Sequence, residues 1–289
     1  IQQALDAIAK QGIGGTLQFP KGRFILASEV RITSGSVRLQ GVGKGDYTKG
    51  DEVVSGEATI LAYPGPEEVL PALLSVRAPN VSIEGMTLIN GHDGEDRVCL
   101  AILAENARLN DIRVIFLDRR DWGFRRPGPW GADGERRDRG PYDLGYIDDG
   151  AVLVDTAGHA HLSFTDSEVH ATGPGIQVGR FSGWGSMISK PASTSIWVSN
   201  VDFTGHYAGE PDGKSKAGAS GRATGVVIYS GREVGVEDCQ FSGADRWNRR
   251  IMGRTVLVFN TSSRDLYFSG NRSIETGPHP SAEGMNENQ

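Results

Sequence analysis

The chain has 289 residues, a formal net charge of −6 and 23% charged residues, a balance that argues against a nucleic-acid binder, which would show a basic face. No apolar run reaches the roughly 18 residues of a membrane-spanning helix. Glycine is the outlier, with 40 residues scattered between short β-rich runs, as a fold made of many tight turns requires.

Ile1, Ala4, Leu5, Ile8 and Ala9 fall at helical spacing, and the run Gly12 to Gly15 ends the pattern. A short amphipathic helix over residues 1–12 is therefore expected, placed to cover the open end of a β-structure. Alternating apolar residues follow from Gly14 to Ile32 around Pro20-Lys21-Gly22. A nine-residue unit then recurs, starting at Val37, Val81, Ala107, Leu162, Ile196, Val234 and Leu266. Each copy opens apolar-x-apolar. Its fifth residue is always Gly, Asp or Asn: Gly41, Gly85, Asp111, Asp166, Asn200, Asp238 and Gly270. These types tolerate a left-handed backbone, so a single residue turns the chain sharply between two short strands. Repetition of one turn chemistry at this period predicts a solenoid. Cys239 occupies the place of Met86, Ile112 and Val201 in other copies. A buried apolar role is thus expected for it, rather than a disulfide with Cys99.

The helix, the string GGTLQFPKGRFIL from Gly14 and the string VRLQGVG from Val37 resemble the start of the pectate-lyase-like superfamily. Its members commonly begin with a helix, a Gly-Gly-Thr-Val-x-Phe-Pro-x-Gly-x-Tyr string and a Leu-x-Gly-x-Gly string; here Phe24 stands for the Tyr. The resemblance implies an all-β fold, a single-stranded right-handed parallel β-helix with an N-terminal capping α-helix. The expected organisation is one domain over 1–289: helix at 1–12, coils over 14–275 and an irregular tail at 276–289. It also implies a secreted or periplasmic location, with any leader lying ahead of Ile1, where the chain opens inside a pattern.

Repeat starts are 26 to 55 residues apart, more than a bare coil of three short strands needs. The excess is expected after the third strand and before the first strand of the next coil. First strands are legible at Ala101, Ala151, Gly175, Gly225 and Thr255. Because parallel strands stack about 4.8 Å apart, insertions line up along one edge and border a groove on the first sheet. In enzymes of the resembling superfamily that groove holds the polymer.

The largest insertion, 118–149, interleaves seven Arg and eight acids with aromatic residues. Trp122, Trp130, Tyr142 and Tyr146 suit stacking on sugar rings, and Arg125 and Arg126 suit two-pronged pairing with carboxylates. A lid whose charges pair among themselves is the plainer reading of the same residues. Asp148 and Asp149 sit where this loop rejoins a strand, and Asp155 follows that strand. Paired carboxylates serve glycoside hydrolysis, although a solvated loop end or a calcium site would use the same pair. Polygalacturonases of the superfamily carry an Asp-Asp pair and a later Gly-His-Gly string; Gly158-His159-Ala160 departs from it. Gln177 and Arg180 flank the next strand, and His170 and His206 follow third strands. Tyr207 and Lys214 come from a Gly/Ser-rich loop, Arg246, Trp247 and Arg249 from another, and Tyr229 from the end of a first strand.

A β-eliminating lyase needs cations to neutralise a uronate carboxylate and a base for the acidified proton. The leading expectation is therefore cleavage of an acidic polysaccharide by elimination. Its catalytic candidates are Asp148, Asp149, Asp155, Arg180, His206 and Arg246, with the remaining loop residues binding substrate. Hydrolysis by paired Asp is the alternative. A non-catalytic adhesin or phage-type carbohydrate-binding fibre, monomeric or homotrimeric, is the reading from another class: Val227, Tyr229, Leu257 and Phe259 make the first strands partly apolar outside, which suits loop cover or a subunit contact. No metal-binding string is present; calcium is the one ion the resemblance allows.

Overall fold

A computed structural model describes residues 1–48, 53–62, 72–90, 98–116, 150–156, 158–171, 174–179, 193–205, 223–243, 252–259, 263–274 and 281–283. The chain winds as a right-handed parallel β-helix. Each coil passes through three sheet directions, and each strand pairs in parallel with its counterpart one coil on. The first sheet has eight strands, from Val30–Ile32 through Ala72–Val76, Val98–Ile102, Gly150–Val154, Pro174–Val178, Ala223–Ile228 and Met252–Phe259 to Ser281–Glu283. The second and third sheets are the two halves of long bent strands such as Val81–Asn90, Ala107–Phe116 and His159–Ala171.

The bend lies where the repeat predicts it. Gly85, Asp111, Asp166, Asn200, Asp238 and Gly270 all have φ between 50° and 64°. Gly41 is the exception and is not left-handed. A side chain there would overlap the Gly85 carbonyl and the Thr59 side chain, so crowding rather than conformation demands glycine. A second left-handed column stands immediately before each repeat: Ser36, Asn80, Asn106, His161, Ser195, Glu233 and Asp265, with φ from 43° to 61°. Two forced turns per coil keep every coil in the same phase.

Inward positions therefore stack. Ile32, Val76, Ile102, Val154, Val178, Ile228 and Val258 form one ladder. Leu39, Ile83, Leu109, Phe164, Val198 and Val236 form another. All are buried in one continuous core, where each large side chain contributes about 1.5–3 kcal/mol. Cys99 and Cys239 belong to this core as free thiols; burial raises both, Cys239 to about 11.

The helix Gln2–Gln11 caps the N-terminal end and stops at Gly12, φ 72°. Gln2 accepts a bond from the Arg31 N–H at 2.9 Å and donates to its carbonyl at 3.1 Å. One side chain thus occupies backbone groups of the terminal first-sheet strand that would otherwise invite another chain.

Four features depart from the sequence expectation. Ser281–Glu283, in the tail expected to be irregular, is a first-sheet strand paired with Met252–Phe259. The first strand read from Ala101 spans Val98–Ile102; a short run of apolar residues carries no phase of its own. Stretches 63–71, 91–97, 117–149, 206–222 and 244–251 leave between third and first strands as expected, but 180–192 leaves between a first and a second strand. An antiparallel hairpin, Lys44–Thr48 with Val53–Ala62, also interrupts an early coil.

Candidate functional site

From Ser75 to Val227 the outer face of the first sheet is buried. Ala72, Val98, Ala101 and Leu153 form an apolar cluster with Leu103, separate from the main core. Val227 and Tyr229 are each 2% exposed. They are covered within the chain itself, so no subunit contact is needed to bury them. Gln177 is 1% exposed; its Nε2 donates to the Gly179 carbonyl at 3.2 Å. Gln177 and Tyr229, read as groove residues, therefore do not line an open groove. Their neighbours on this face are apolar, and an apolar face is driven out of water.

Asp155 stands at the end of Gly150–Val154, half-buried, its N–H bonded to the Ile102 carbonyl at 2.9 Å. The backbone bonds of successive coils place Leu103, Asp155, Gly179 and Tyr229 at the same rim position. Asp155 and Tyr229 are thus two coils apart, about 10 Å, with no side chain at Gly179 between them. Asp148, Asp149, Arg180, His206 and Arg246 lie outside the described residues. So do Trp122, Arg125, Arg126, Trp130, Tyr142, Tyr146, Tyr207, Lys214, Trp247 and Arg249. Of the predicted set, Asp155, Gln177 and Tyr229 are described, on three successive coils of the first sheet.

At the N-terminal end of the same face stands a polar group that the sequence reading passed over. Glu29 accepts from Ser75 Oγ at 2.6 Å, Arg31 Nε at 2.8 Å and Arg77 Nη2 at 3.1 Å. Burial pushes this carboxyl up, but the bonds from Ser75, Arg31 and Arg77 outweigh it and hold it below the usual range. The two arginine side chains are about half exposed, 56% and 43%, and present charge at the sheet's surface. Their signal in sequence was weak, since 46 residues separate Glu29 from Ser75.

A second ionic cluster lies on the third sheet beneath the hairpin. Arg113, 3% exposed, pairs with both oxygens of Glu168 at 2.7 and 3.1 Å. It also donates to the Lys44 and Gly45 carbonyls at 2.8 and 3.1 Å. Lys44 Nζ lies 3.3 Å from Glu168 and from Asp111. His170, read as following a third strand, lies within one, 3.4 Å from Glu168 and against the Tyr47 ring. Burial would raise Glu168; bonds from His170 and Arg113 and the charges of Arg113 and Lys44 outweigh it and hold the carboxyl well below its usual range. Partial burial and the Glu168 charge push Asp202 up; that residue is exposed, so the charge carries more weight. Arg113 is committed to holding the hairpin on the sheet, and the cluster reads as a structural clamp.

Among the described residues, no three His, Cys, Asp or Glu side chains stand together to hold a metal. No helix among the described residues is long and apolar enough to cross a membrane.

Geometry and turn chemistry together define a right-handed parallel β-helix. Comparison with solved structures agrees. A rice weevil pectin methyl esterase matches with a TM-score of 0.50 at 9% identity, over 98% of this chain and 86% of that one. The Geobacillus virus E2 ORF18 protein matches at 0.41 and 13% identity, over 99% and 58%. The A-module of an Azotobacter vinelandii mannuronan C-5 epimerase matches at 0.27 and 13%, over 98% and 93%. At such identities the likeness concerns fold. Neither a protein-family model nor a curated protein matches the chain.

Proposed function

We propose that the protein is an enzyme that cleaves an acidic, uronate-containing polysaccharide by β-elimination at the C-terminal rim of the first sheet. The observation that supports it is the placement of Asp155. It is a half-buried carboxylate on a rigid strand end, at the edge where the stretch 180–192, which opens on Arg180, leaves the sheet; the Arg-rich stretches 117–149 and 244–251 join at the opposite edge. Arginines pairing with the uronate carboxylate acidify the C5 proton. A base at the rim removes it, the C4–O bond breaks, a C4–C5 double bond forms and the leaving oxygen takes a proton. A secreted or periplasmic location fits such a substrate. The pectin methyl esterase and the mannuronan epimerase have names that point to uronate polymers, which agrees with this reading without carrying it.

Hydrolysis is the second reading: it rests on the adjacent carboxylates Asp148 and Asp149, both outside the described residues.

The test is an assay of the purified chain on pectate, alginate, hyaluronan, chondroitin sulfate and neutral glucans, with and without calcium. Ultraviolet absorbance of the unsaturated product and reducing ends are read together. Absorbance on one uronate polymer, lost at least 100-fold in Asp155→Asn, is the expected result. Reducing ends without absorbance would sink elimination, and undiminished activity of the variant would remove Asp155 from the site.

A further inference from the structure

The x of each apolar-x-apolar repeat points outward from the second sheet. In register this column reads Arg38, Ser82, Arg108, Ser163, Trp197, Gly235 and Tyr267, large and small in alternation. Successive large residues are two coils apart, about 10 Å, with a bay above each small one.

The bay over Gly235 is closed. Trp197 and Tyr267 stack there with ring centroids 5.8 Å apart and planes at 18°. A side chain on Gly235 would overlap the indole ring, so glycine is what lets the indole lie down. The bays over Ser82 and Ser163 remain open and merge into a groove of about 740 Å³, lined by Arg108, Ser163, Trp197, Asn106 and His161 among others. Trp197 lines it and Tyr267 does not, so one indole face is stacked and the other turns to the groove. Both rings are exposed, 41% and 49%, an unusual placement for two large aromatics unless something covers them. Arg108 is exposed and, among the described residues, makes no hydrogen bond or ion pair. Its counterpart Arg38 is taken by Glu84. The groove edge is lined with hydrogen-bonding side chains from the second left-handed column, including the pair Asn106 and Asn80 at 3.1 Å.

We propose that this groove binds an anionic oligosaccharide, one pyranose ring lying on the free face of Trp197 and its acidic group paired with Arg108 across Ser163. A flat apolar ring beside a free guanidinium and a row of amides and hydroxyls matches the two sides of such a sugar: C–H faces on one, acid and hydroxyls on the other. The site lies on a different face from the Asp155 rim and does not depend on any activity there.

Calorimetric titration of the whole chain with size-defined uronate tetramers, neutral tetramers and sulfated neutral tetramers tests it. Uronates should bind, neutral sugars at least tenfold more weakly. Trp197→Ala, Arg108→Ala and Gly235→Ala should each weaken uronate binding tenfold or more with rim activity unchanged. Arg108 has no partner to lose, so that variant keeps its fold and the test its force if the other two do not. Sulfated sugars binding equally, and losing affinity in Arg108→Ala, would support the site with sulfate as its anion. Uronate binding at wild-type strength in Arg108→Ala and Trp197→Ala would overturn it. So would neutral sugars binding as tightly as uronates.

Discussion

The first and second sheets are wound from the same coils in the same parallel register, yet their outer faces have opposite fates. Outside the first sheet, Ala101, Leu153, Gln177 and Val227 are all at most 4% exposed. Outside the second, the corresponding column runs from Arg38 to Tyr267, with Arg108, Trp197 and Tyr267 in water. The joints differ as sharply. First strands mostly begin after long stretches of chain, whereas most second strands follow a turn of a few residues held by one left-handed residue. A solenoid fixes its interior by stacking and leaves each outer face to be set by local residues and by the chain that leaves beside it.

Substitution tests that contrast directly, and the largest effect is expected on the first sheet. Leu153→Asp puts an unpaired charge into an apolar cluster and should cost about 4 kcal/mol. Ser163→Asp, on the open face of the next strand in the chain, should stay within about 0.5 kcal/mol. Urea-unfolding midpoints of the two variants check this. Equal, small shifts would mean that the first-sheet face is open in solution, which would return Gln177 and Tyr229 to a groove.

A sharper version uses one residue type in one strand. Arg108 and Arg113 both lie in Ala107–Phe116, on either side of the left-handed Asp111. Arg113→Ala strips Glu168 of its bidentate partner and frees the hairpin carbonyls, and should cost about 3 kcal/mol. Arg108→Ala should be nearly silent in stability, because an exposed, unpaired side chain contributes little. Thermal melts that fail to separate the two would refute the clamp.

This pair also marks how far the sequence could be read. The bend at Asp111 was legible because few residue types accept its φ of 50°. The second left-handed column was not. Ser36, His161 and Glu233 are poor left-handed residues, and stacking of neighbouring coils holds them there at a cost of about 1–2 kcal/mol each. The outward column was in plain view as the x of every repeat. Its meaning needed the register, which shows Trp197 beside a free Arg108 although 89 positions separate them in sequence. Arg113 and Glu168 are 55 residues apart, with the longest insertion between them, so no local pattern ties them. The position of Asp155 at the end of Gly150–Val154 was legible. The burial of Gln177 and Tyr229 was hidden, because alternation tells which residues point outward but not what then covers them.

Acid should sharpen the comparison one step further, with the smallest effect of the three. Glu29 and Glu168 are both held below the usual carboxylate range in the fold. A carboxylate lowered on folding contributes stability that is fully present above its unfolded pKa, about 4.3. That contribution is lost as pH falls from there through the lowered folded value. Stability should therefore be flat near neutrality and fall steadily below about pH 4.5, because the unfolded chain takes up protons that the folded clamp refuses. Glu168→Gln removes this titration, so the variant should be less stable than wild type at pH 7 and lose less between pH 5 and pH 3. Arg108→Ala, on the exposed second-sheet groove, should follow the wild-type curve throughout. Unfolding midpoints in urea across that pH range decide the matter: parallel curves for Glu168→Gln and wild type would show that the acid sensitivity comes from elsewhere than the clamp.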